Sequence, residues 1–207
     1  MRLLLSALLA LTVAAPAQAQ MVVPLATIDG KVGCIQGMTG IGRPPSWEAI
    51  KDGDAPGGWA LTETAKDATD LHFPFCIWTH DAVRDLDATL RFKPISGTRE
   101  QAGGLMFRAQ NATDYFVARA SALDKTVKLY RMLGGRRSQI ASKEATVSLG
   151  KWHSLRVVAA DKRIEVFFDG VSMFTYDDPG FPRAGAIGVW NPSDSVTHFS
   201  TLLVAPP

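Results

Sequence analysis

The sequence lacks the motifs that mark the common hydrolase and redox sites. It has no Gly-x-Ser-x-Gly elbow and no Cys-x-x-Cys pair, and its four histidines do not have the spacing of a zinc site. The sequence therefore gives no indication of an α/β-hydrolase, a thioredoxin-like protein or a structural zinc domain.

Excess charge of one sign is also scarce, since the 207 residues carry 22 basic and 20 acidic side chains. Without Arg2, which belongs to the N-terminal segment described next, 21 basic residues stand against 20 acidic ones, a net charge of +1. A nearly neutral chain has no electrostatic reason to bind nucleic acid, so no nucleic-acid partner is expected.

No long apolar run occurs after the first 19 residues, so no membrane association is expected after processing. The N-terminal run resembles an export signal, because Arg2 precedes an apolar stretch over 3–15 and residues 17–19 match the small-x-small cleavage pattern. A buried N-terminal helix is the alternative interpretation. The sequence therefore predicts a signal peptide at 1–19, a mature chain from about Gln20, and a secreted or periplasmic protein.

Cysteine is limited to Cys34 and Cys76. An oxidising compartment would allow a disulfide between them, and a bridge closing a loop of about 40 residues would stabilise the fold by ~3–4 kcal/mol. Two buried free thiols fit the sequence equally well, because spacing alone does not show that the side chains meet.

Short runs of alternating residues, separated by turn residues, fill the chain from residue 55 onward. No sustained helical period interrupts them. The predicted strands are 69–78, 85–94, 102–110, 115–121, 126–133, 138–141, 152–160, 163–168, 172–176, 184–190 and 198–204. This pattern predicts an all-β fold, a two-sheet antiparallel jelly-roll sandwich over 55–207.

Glycine and proline concentrate in the segment 20–54. The segment is predicted to be mostly irregular, and only 32–35 has the pattern of an edge strand.

Several segments between residues 55 and 204 carry a resemblance to a known family. They read GLMFR at 104–108, DYFVAR at 114–119, LYR at 129–131, GKWHSLRV at 150–157, IEVFFDG at 164–170 and GAIGVW at 185–190. Together they resemble the concanavalin-like (laminin-G-like) jelly rolls. More narrowly, they resemble the bacterial exported domains named after 3-keto-disaccharide hydrolase, which are related in fold to family 16 glycosidases. The resemblance implies the sandwich but not one activity, because domains of this shape bind sugars, cleave them or act as spacers.

Strand alternation predicts which side chains share a face. A four-residue loop at 111–114 would place Arg108 opposite Val117 and Met106 opposite Arg119. A second hairpin turning at 124–125 would then place Tyr130 opposite Arg119.

The face away from the predicted core has the chemistry of a sugar site, because aromatic rings can stack on a pyranose and cations can donate to its hydroxyls. The predicted ligand-binding residues are Arg108, Tyr115, Arg119, Lys128, Tyr130 and Trp190. The alternative is a solvated sheet face, which commonly carries the same residue types.

No catalytic residue is predicted. Family 16 glycosidases carry a Glu-x-Asp-x-x-Glu strand that this sequence lacks. Glu165 and Asp169 have an even spacing, but Asp169-Gly170 also predicts a hairpin turn. The tryptophans Trp47, Trp59, Trp78 and Trp152 are predicted to pack in the core or at sheet edges.

A calcium ion at the rim of the sandwich is the one cofactor considered, with Asp169, Asp177 and Asp178 as oxygen donors. Turn-forming aspartates fit the same pattern, so no cofactor is the main expectation. The sequence favours an exported carbohydrate-recognition domain whose ligand is a carbohydrate or glycoside. A glycoside-acting enzyme of the 3-keto-disaccharide hydrolase type and a non-catalytic interaction module of the cell envelope stay open as alternatives.

Overall fold

A computed structural model of the chain describes residues 20–23, 25–26, 31–180 and 183–207, with only the backbone described at 79–81. The predicted signal peptide at 1–19 lies outside these residues. Within the described part, no helix has the length and apolar character of a membrane span.

The described residues form fifteen β-strands and one short 3-10 turn at Pro56–Gly58. In chain order the strands are β1 (Met21–Val23), β2 (Ile35–Gly40), β3 (Trp47–Lys51), β4 (Trp59–Glu63), β5 (His72–Val83), β6 (Leu86–Ser96), β7 (Ala102–Ala109), β8 (Tyr115–Ser121), β9 (Thr126–Leu133), β10 (Arg136–Glu144), β11 (His153–Ala160), β12 (Arg163–Phe168), β13 (Val171–Asp177), β14 (Gly185–Trp190) and β15 (Val196–Ala205).

Two antiparallel sheets pack face to face as a jelly-roll sandwich. The seven-stranded sheet has the order β10-β9-β8-β7-β14-β5-β2. The eight-stranded sheet has the order β13-β12-β11-β6-β15-β4-β3, and β1 also pairs with β15. The all-β sandwich predicted from alternation is therefore confirmed.

The apolar core lies between the sheets and follows the two-residue period of the strands. In β6 the residues Leu86, Ala88, Leu90 and Phe92 are fully buried, while the intervening residues up to Arg91 are more exposed. Phe107 and Phe116 stack across the β7–β8 pair with ring centroids 5.6 Å apart. Burying one face of each sheet supplies the main driving force for this fold.

Strands β8, β9 and β12 begin and end at the predicted residues. The segment 20–54 differs from the prediction, because β2 and β3 pair within the two sheets. Strand β2 was not predicted because it contains glycines, which are uncommon in strands. Gly37 is needed there because a Cβ at this position would lie only 2.3 Å from the Phe75 ring. Strands β1, β2 and β3 thus make the described part of this segment contribute to the sandwich, where a mostly irregular segment was predicted.

Cys34 and Cys76 are joined by a disulfide, with their Cα atoms 5.5 Å apart. Cys34 directly precedes the edge strand β2, and Cys76 lies in the neighbouring strand β5. The covalent link therefore fastens the edge of the seven-stranded sheet to its interior.

Candidate functional site

The outer face of the seven-stranded sheet carries most of the residues predicted to bind a ligand. Strand β8 alternates as predicted: Phe116 and Ala118 belong to the core between the sheets, whereas Tyr115 and Val117 belong to a second cluster on the outer face. Arg119 continues the outer series by the same alternation.

The predicted register of both hairpins is wrong by two residues. Val117 pairs with Met106 instead of Arg108, and Arg119 pairs with Gly104 and Lys128 instead of Met106 and Tyr130. The connections at 110–114 and 122–125 are longer than the predicted loops at 111–114 and 124–125, and Lys125 has a φ of 52°. A shift of two residues keeps every side chain on its face, so the predicted faces hold for these residues.

Arg108 does not join this face, which corrects the prediction. Its φ of 49° interrupts the alternation at the end of β7. The side chain is only 1% exposed, and it donates from Nε to the Arg84 carbonyl at 2.7 Å and from Nη2 to the Asp161 carbonyl at 2.8 Å. Asp161 lies in the turn between β11 and β12 of the eight-stranded sheet, and Arg84 lies in the connection from β5 to β6, so Arg108 links the end of β7 to the eight-stranded sheet. Burial lowers the pKa of its guanidinium, and the nearby Asp85 carboxylate offsets part of that effect.

The predicted aromatic residues meet, but they form a buried cluster. Trp190 stacks on Phe73 with ring centroids 5.3 Å apart, and its Nε1 donates to the Tyr115 hydroxyl at 3.2 Å. The same hydroxyl lies 2.8 Å from Thr39 Oγ1 of β2. Burial raises the pKa of Tyr115 to about 12, because the phenolate would be formed away from water. Tyr115 and Trp190 therefore do not offer their ring faces to a ligand in this structure.

Arg137 of the edge strand β10 lies over this cluster. Its guanidinium carbon is 4.5 Å from the Phe73 ring centroid and 4.8 Å from that of Tyr130. A cation over two ring faces is stabilised by the ring quadrupoles. Arg137 thus covers the aromatic cluster on its outer side.

A charged network lies beside the aromatic cluster on the same face. Arg119 donates from Nη1 to Asp124 Oδ2 at 2.9 Å and from Nη2 to Glu100 Oε2. Lys128 Nζ donates to the same Asp124 oxygen at 2.8 Å. The network of Glu100, Arg119, Asp124 and Lys128 is called the Arg119 network below.

The electrostatics of the Arg119 network favour the charged forms of Arg119 and Asp124. Burial alone would disfavour the charged guanidinium, but Glu100 and Asp124 outweigh it and raise the pKa of Arg119. Burial likewise would raise the pKa of Asp124, yet the Arg119 charge and hydrogen bonds from Lys128 and Thr126 hold that pKa well below its usual range. Arg119 and Asp124 therefore form a charged pair at neutral pH, and Glu100 and Lys128 each form an ion pair with one member of it.

A cleft of about 410 Å³ opens beside Asp124. It is lined by Asp124, Lys125, Glu144, Ala145 and Thr146. The backbone N–H of Ala145 donates to the Lys125 carbonyl at 2.9 Å, which fixes the two walls relative to each other. Its volume falls in the range of ~300–1,000 Å³ that is typical of small-molecule sites.

The aspartates considered as calcium ligands do not converge. Asp169 accepts hydrogen bonds from His153 Nδ1 and Ser154 N at 2.7 Å each, and the buried Asp178 lies 3.6 Å from Arg131. Among the described residues, no three acidic, histidine or cysteine side chains form a group that could hold a metal ion.

The even-spaced pair Glu165 and Asp169 serves structural roles. Glu165 accepts a hydrogen bond from Arg163 at 2.8 Å, and Asp169 lies in the turn between β12 and β13 with a φ of 46°. The turn predicted at Asp169-Gly170 is confirmed.

Sequence reasoning missed Glu100, Asp124 and Arg137 as members of this face. Glu100 lies in the loop before β7 and Asp124 in the turn after β8, where alternation makes no prediction. Only the folded loops show that both carboxylates meet Arg119.

Comparison with known families assigns the chain. The family model described as 3-keto-alpha-glucoside-1,2-lyase-like domain matches residues 38–199, which is 162 of the 207 residues. The chain belongs to the 3-keto-alpha-glucoside-1,2-lyase-like domain family. No curated protein sequence matches this family member.

Solved structures similar to this lyase-like domain include sugar-binding sandwiches. The carbohydrate-binding module CBM66 from Bacillus subtilis is 20% identical with a TM-score of 0.59, over 79% of this chain and 93% of the module. Domain 4 of the arabinanase AbnA from Geobacillus stearothermophilus, solved with arabinotriose, is 13% identical with a TM-score of 0.51, over 83% and 82%. The VIP36 exoplasmic/lumenal domain, solved with Ca²⁺ and mannose, is 8% identical with a TM-score of 0.57, over 91% and 89%. At these identities the similarity establishes the jelly-roll fold.

Proposed function

We propose that this protein binds carbohydrate on the outer face of its seven-stranded sheet, at the Arg119 network and the cleft beside Asp124. The observation that carries the proposal is the arrangement of partly exposed charged groups around one buried guanidinium. The Arg119 side chain is 2% exposed, whereas Glu100, Lys128 and Asp124 are 23%, 20% and 36% exposed. A ligand therefore reaches the carboxylates and the ammonium group, while Arg119 holds them in place.

The exposed groups keep hydrogen-bonding capacity that suits sugar hydroxyls. Glu100 uses Oε2 for Arg119, and Lys128 uses one of its three donors for Asp124. Glu100 Oε1 and two Lys128 donors are left for a ligand, because neither side chain makes another hydrogen bond among the described residues. A carboxylate that accepts and an ammonium that donates are complementary to the hydroxyls of a pyranose.

The fixed geometry of the Arg119 network supports binding without a large ordering cost. Two ion pairs already restrain Glu100 and Asp124 in the free protein, so little side-chain entropy is lost when a ligand binds. Sugar binding by CBM66, by the AbnA domain with its arabinotriose and by VIP36 with its mannose gives further support from proteins of the same fold. A few such contacts correspond to dissociation constants in the micromolar to millimolar range, ~4–8 kcal/mol.

Calorimetric titration with a panel of neutral oligosaccharides tests this site. Lys128→Ala and Glu100→Gln should each weaken the affinity by about 10- to 100-fold, since hydrogen bonds to charged groups contribute ~1.5–3 kcal/mol. Lys162→Ala is the matched control, because Lys162 is exposed in the turn after β11 of the other sheet. Affinities unchanged by both site variants would refute the proposed site.

A second candidate function is elimination from a 3-keto-glucoside. The family favours it, and so does the presence of a carboxylate and an ammonium group, Glu100 and Lys128, that are both partly exposed in the network. The reaction removes the C2 proton, made acidic by the neighbouring carbonyl, and the C1–O bond breaks so that the leaving oxygen takes up a proton. Glu100 is the candidate base, and the exposed Lys128 ammonium is the candidate partner of the enolate oxygen. The low pKa of Asp124 makes that carboxylate a weak base.

Incubation with a 3-keto disaccharide distinguishes the two candidates. Lyase activity predicts release of the leaving sugar together with an unsaturated keto sugar, and loss of both products in Glu100→Gln but not in Lys162→Ala. If oligosaccharides bind and no product forms, only the binding function is supported.

We further propose that the protein is exported. The N-terminal run over 1–19 supports this, and so does the disulfide between Cys34 and Cys76, which persists in oxidising compartments. The protein recovered from the exported fraction should begin at or near Gln20, as measured by mass spectrometry. Recovery of the chain with Met1 intact would contradict cleavage at this position.

A further inference from the structure

The outer face of the eight-stranded sheet carries a second groove, on the opposite side of the molecule from the Arg119 network. It has a volume of about 300 Å³. The residues lining it come from or adjoin three neighbouring strands, β11, β6 and β15: Thr89, Arg91, Trp152, His153, Ser154, Asp169, Thr201 and Leu203.

Arg91 occupies the centre of this groove. It pairs with Ser154 of β11 on one side and with Thr201 of β15 on the other. The alternating neighbours Leu90 and Phe92 are buried in the core, so Arg91 projects outward. Its guanidinium lies over the Trp152 ring, whose centroid is 5.8 Å from the guanidinium carbon.

The Arg91 guanidinium forms no ion pair and donates no hydrogen bond among the described residues. Lys93 is paired with Asp52 at 2.7 Å. The Asp169 carboxylate, which also lines the groove, accepts hydrogen bonds from His153 Nδ1 and from the backbone N–H and hydroxyl of Ser154. Arg91 is therefore the cation of this groove without a counter-ion.

Other groups in the groove suit a sugar ring. The hydroxyls of Thr89 and Thr201 make no hydrogen bond within the described residues, and Leu203 adds apolar surface next to Thr89. The indole Nε1 of Trp152 is buried and has no acceptor there, which is rare for a buried donor. The sequence assigned Trp152 a packing role, whereas the structure places it in the wall of the groove.

We infer that this groove binds an acidic saccharide, with the carboxylate of a uronic acid on Arg91 and the ring hydroxyls on Thr89, Ser154 and Thr201. A planar guanidinium with all its donors available matches a carboxylate through two parallel hydrogen bonds. The hydroxyl lining and the partly buried indole favour a sugar as the carrier of that carboxylate. This inference does not depend on the proposed function of the opposite face.

Calorimetric titration of the full chain with trigalacturonate and with its methyl ester tests the inference. The ester keeps the sugar and removes only the negative charge, so it should bind at least about tenfold more weakly, in keeping with the strength of hydrogen bonds between charged groups. Arg91→Ala should cause a similar loss, and Arg91→Lys an intermediate one, because a lysine keeps the charge but not the planar fork.

Two control variants separate this groove from other effects. Arg163→Ala removes an arginine from the same sheet that is already paired with Glu165, and it should leave trigalacturonate affinity unchanged. Arg136→Ala removes an exposed arginine of β10 in the seven-stranded sheet, and it should also leave that affinity unchanged. Because Arg91 is exposed, its variants should keep the wild-type melting temperature, which thermal denaturation checks. No binding of trigalacturonate, equal binding of the ester, or wild-type affinity in Arg91→Ala would overturn the inference.

Discussion

Asp194 shows how one side chain organises a loop that carries a site residue. Its carboxylate accepts hydrogen bonds from Thr98 N, Thr98 Oγ1, Arg99 N and Glu100 N at distances of 2.5–3.1 Å. These hydrogen bonds fix the loop between β6 and β7 and position the Glu100 carboxylate next to Arg119. Burial would raise the pKa of Asp194, but these donors outweigh it and lower the pKa.

Asp194→Asn should destabilise the protein by about 1–3 kcal/mol, because an amide cannot accept all four hydrogen bonds. Chemical denaturation measures the change in the free energy of unfolding. Asp177→Asn is the control, since Asp177 is exposed and should change that free energy by less than ~0.5 kcal/mol.

The Asp194 effect should also depend on pH in a defined direction. A carboxyl whose folded pKa is lowered stabilises the protein above its unfolded pKa of about 3.9, and this contribution is lost as the pH falls through the folded pKa. The difference between wild type and Asp194→Asn should therefore be full at neutral pH and shrink below about pH 4. A difference that stays constant down to pH 2 would contradict the role assigned to the carboxylate.

At the scale of the strand, close approach of backbones constrains β14. A Cβ added at Gly188 would lie 2.3 Å from the Cys76 carbonyl oxygen and 2.8 Å from Ile77 Cγ2. The first of these neighbours is backbone of the paired strand β5, which cannot move without disturbing the ladder. Gly188 therefore allows β14 and β5 to pair beneath the outer-face cluster.

Gly188→Ala should destabilise the protein by about 1–3 kcal/mol through this overpacking. Gly53→Ala is the matched control, because a Cβ there meets no atom within 4 Å. Thermal denaturation of both variants checks the prediction. Equal melting temperatures would show that β14 relaxes at no cost.

The limits of sequence prediction also appear at the scale of the strand. Alternation placed Tyr115, Arg119 and Lys128 on one face, because the two-residue period survives an error of register. It failed at Arg108, where one positive φ at the strand end turned the side chain away. Local backbone conformation of this kind depends on the tertiary contacts made at the end of the strand, and a sequence pattern does not contain them.

At the scale of the whole molecule, the all-β sandwich was predictable because every strand has one face to bury. The closure of the aromatic cluster was not, because it depends on strands distant in sequence. Thr39 of β2 reaches the Tyr115 hydroxyl, and Arg137 of β10 reaches the Phe73 ring. Residues from both edge strands of the seven-stranded sheet thus cover the aromatic cluster. The predicted rings are therefore buried, and the polar groups that a ligand can reach on this face belong to the neighbouring Arg119 network.

The two sheets then present different chemistry on their outer faces. The seven-stranded sheet offers balanced charges around Arg119, which suit neutral sugar hydroxyls. The eight-stranded sheet offers Arg91 without a counter-ion, which suits a carboxylate. Two independent saccharide contacts on one small domain would raise its avidity for a long polysaccharide if the chain spans both faces.

Backbone NMR titration of the isotope-labelled protein with a neutral oligosaccharide that binds in calorimetry tests the central claim most directly. We expect the largest amide shift changes at residues 119–128 and around Glu100, and none of comparable size on the outer face of the eight-stranded sheet. Shift changes confined to other surfaces, with the amides of the Arg119 network unmoved at saturation, would contradict the account.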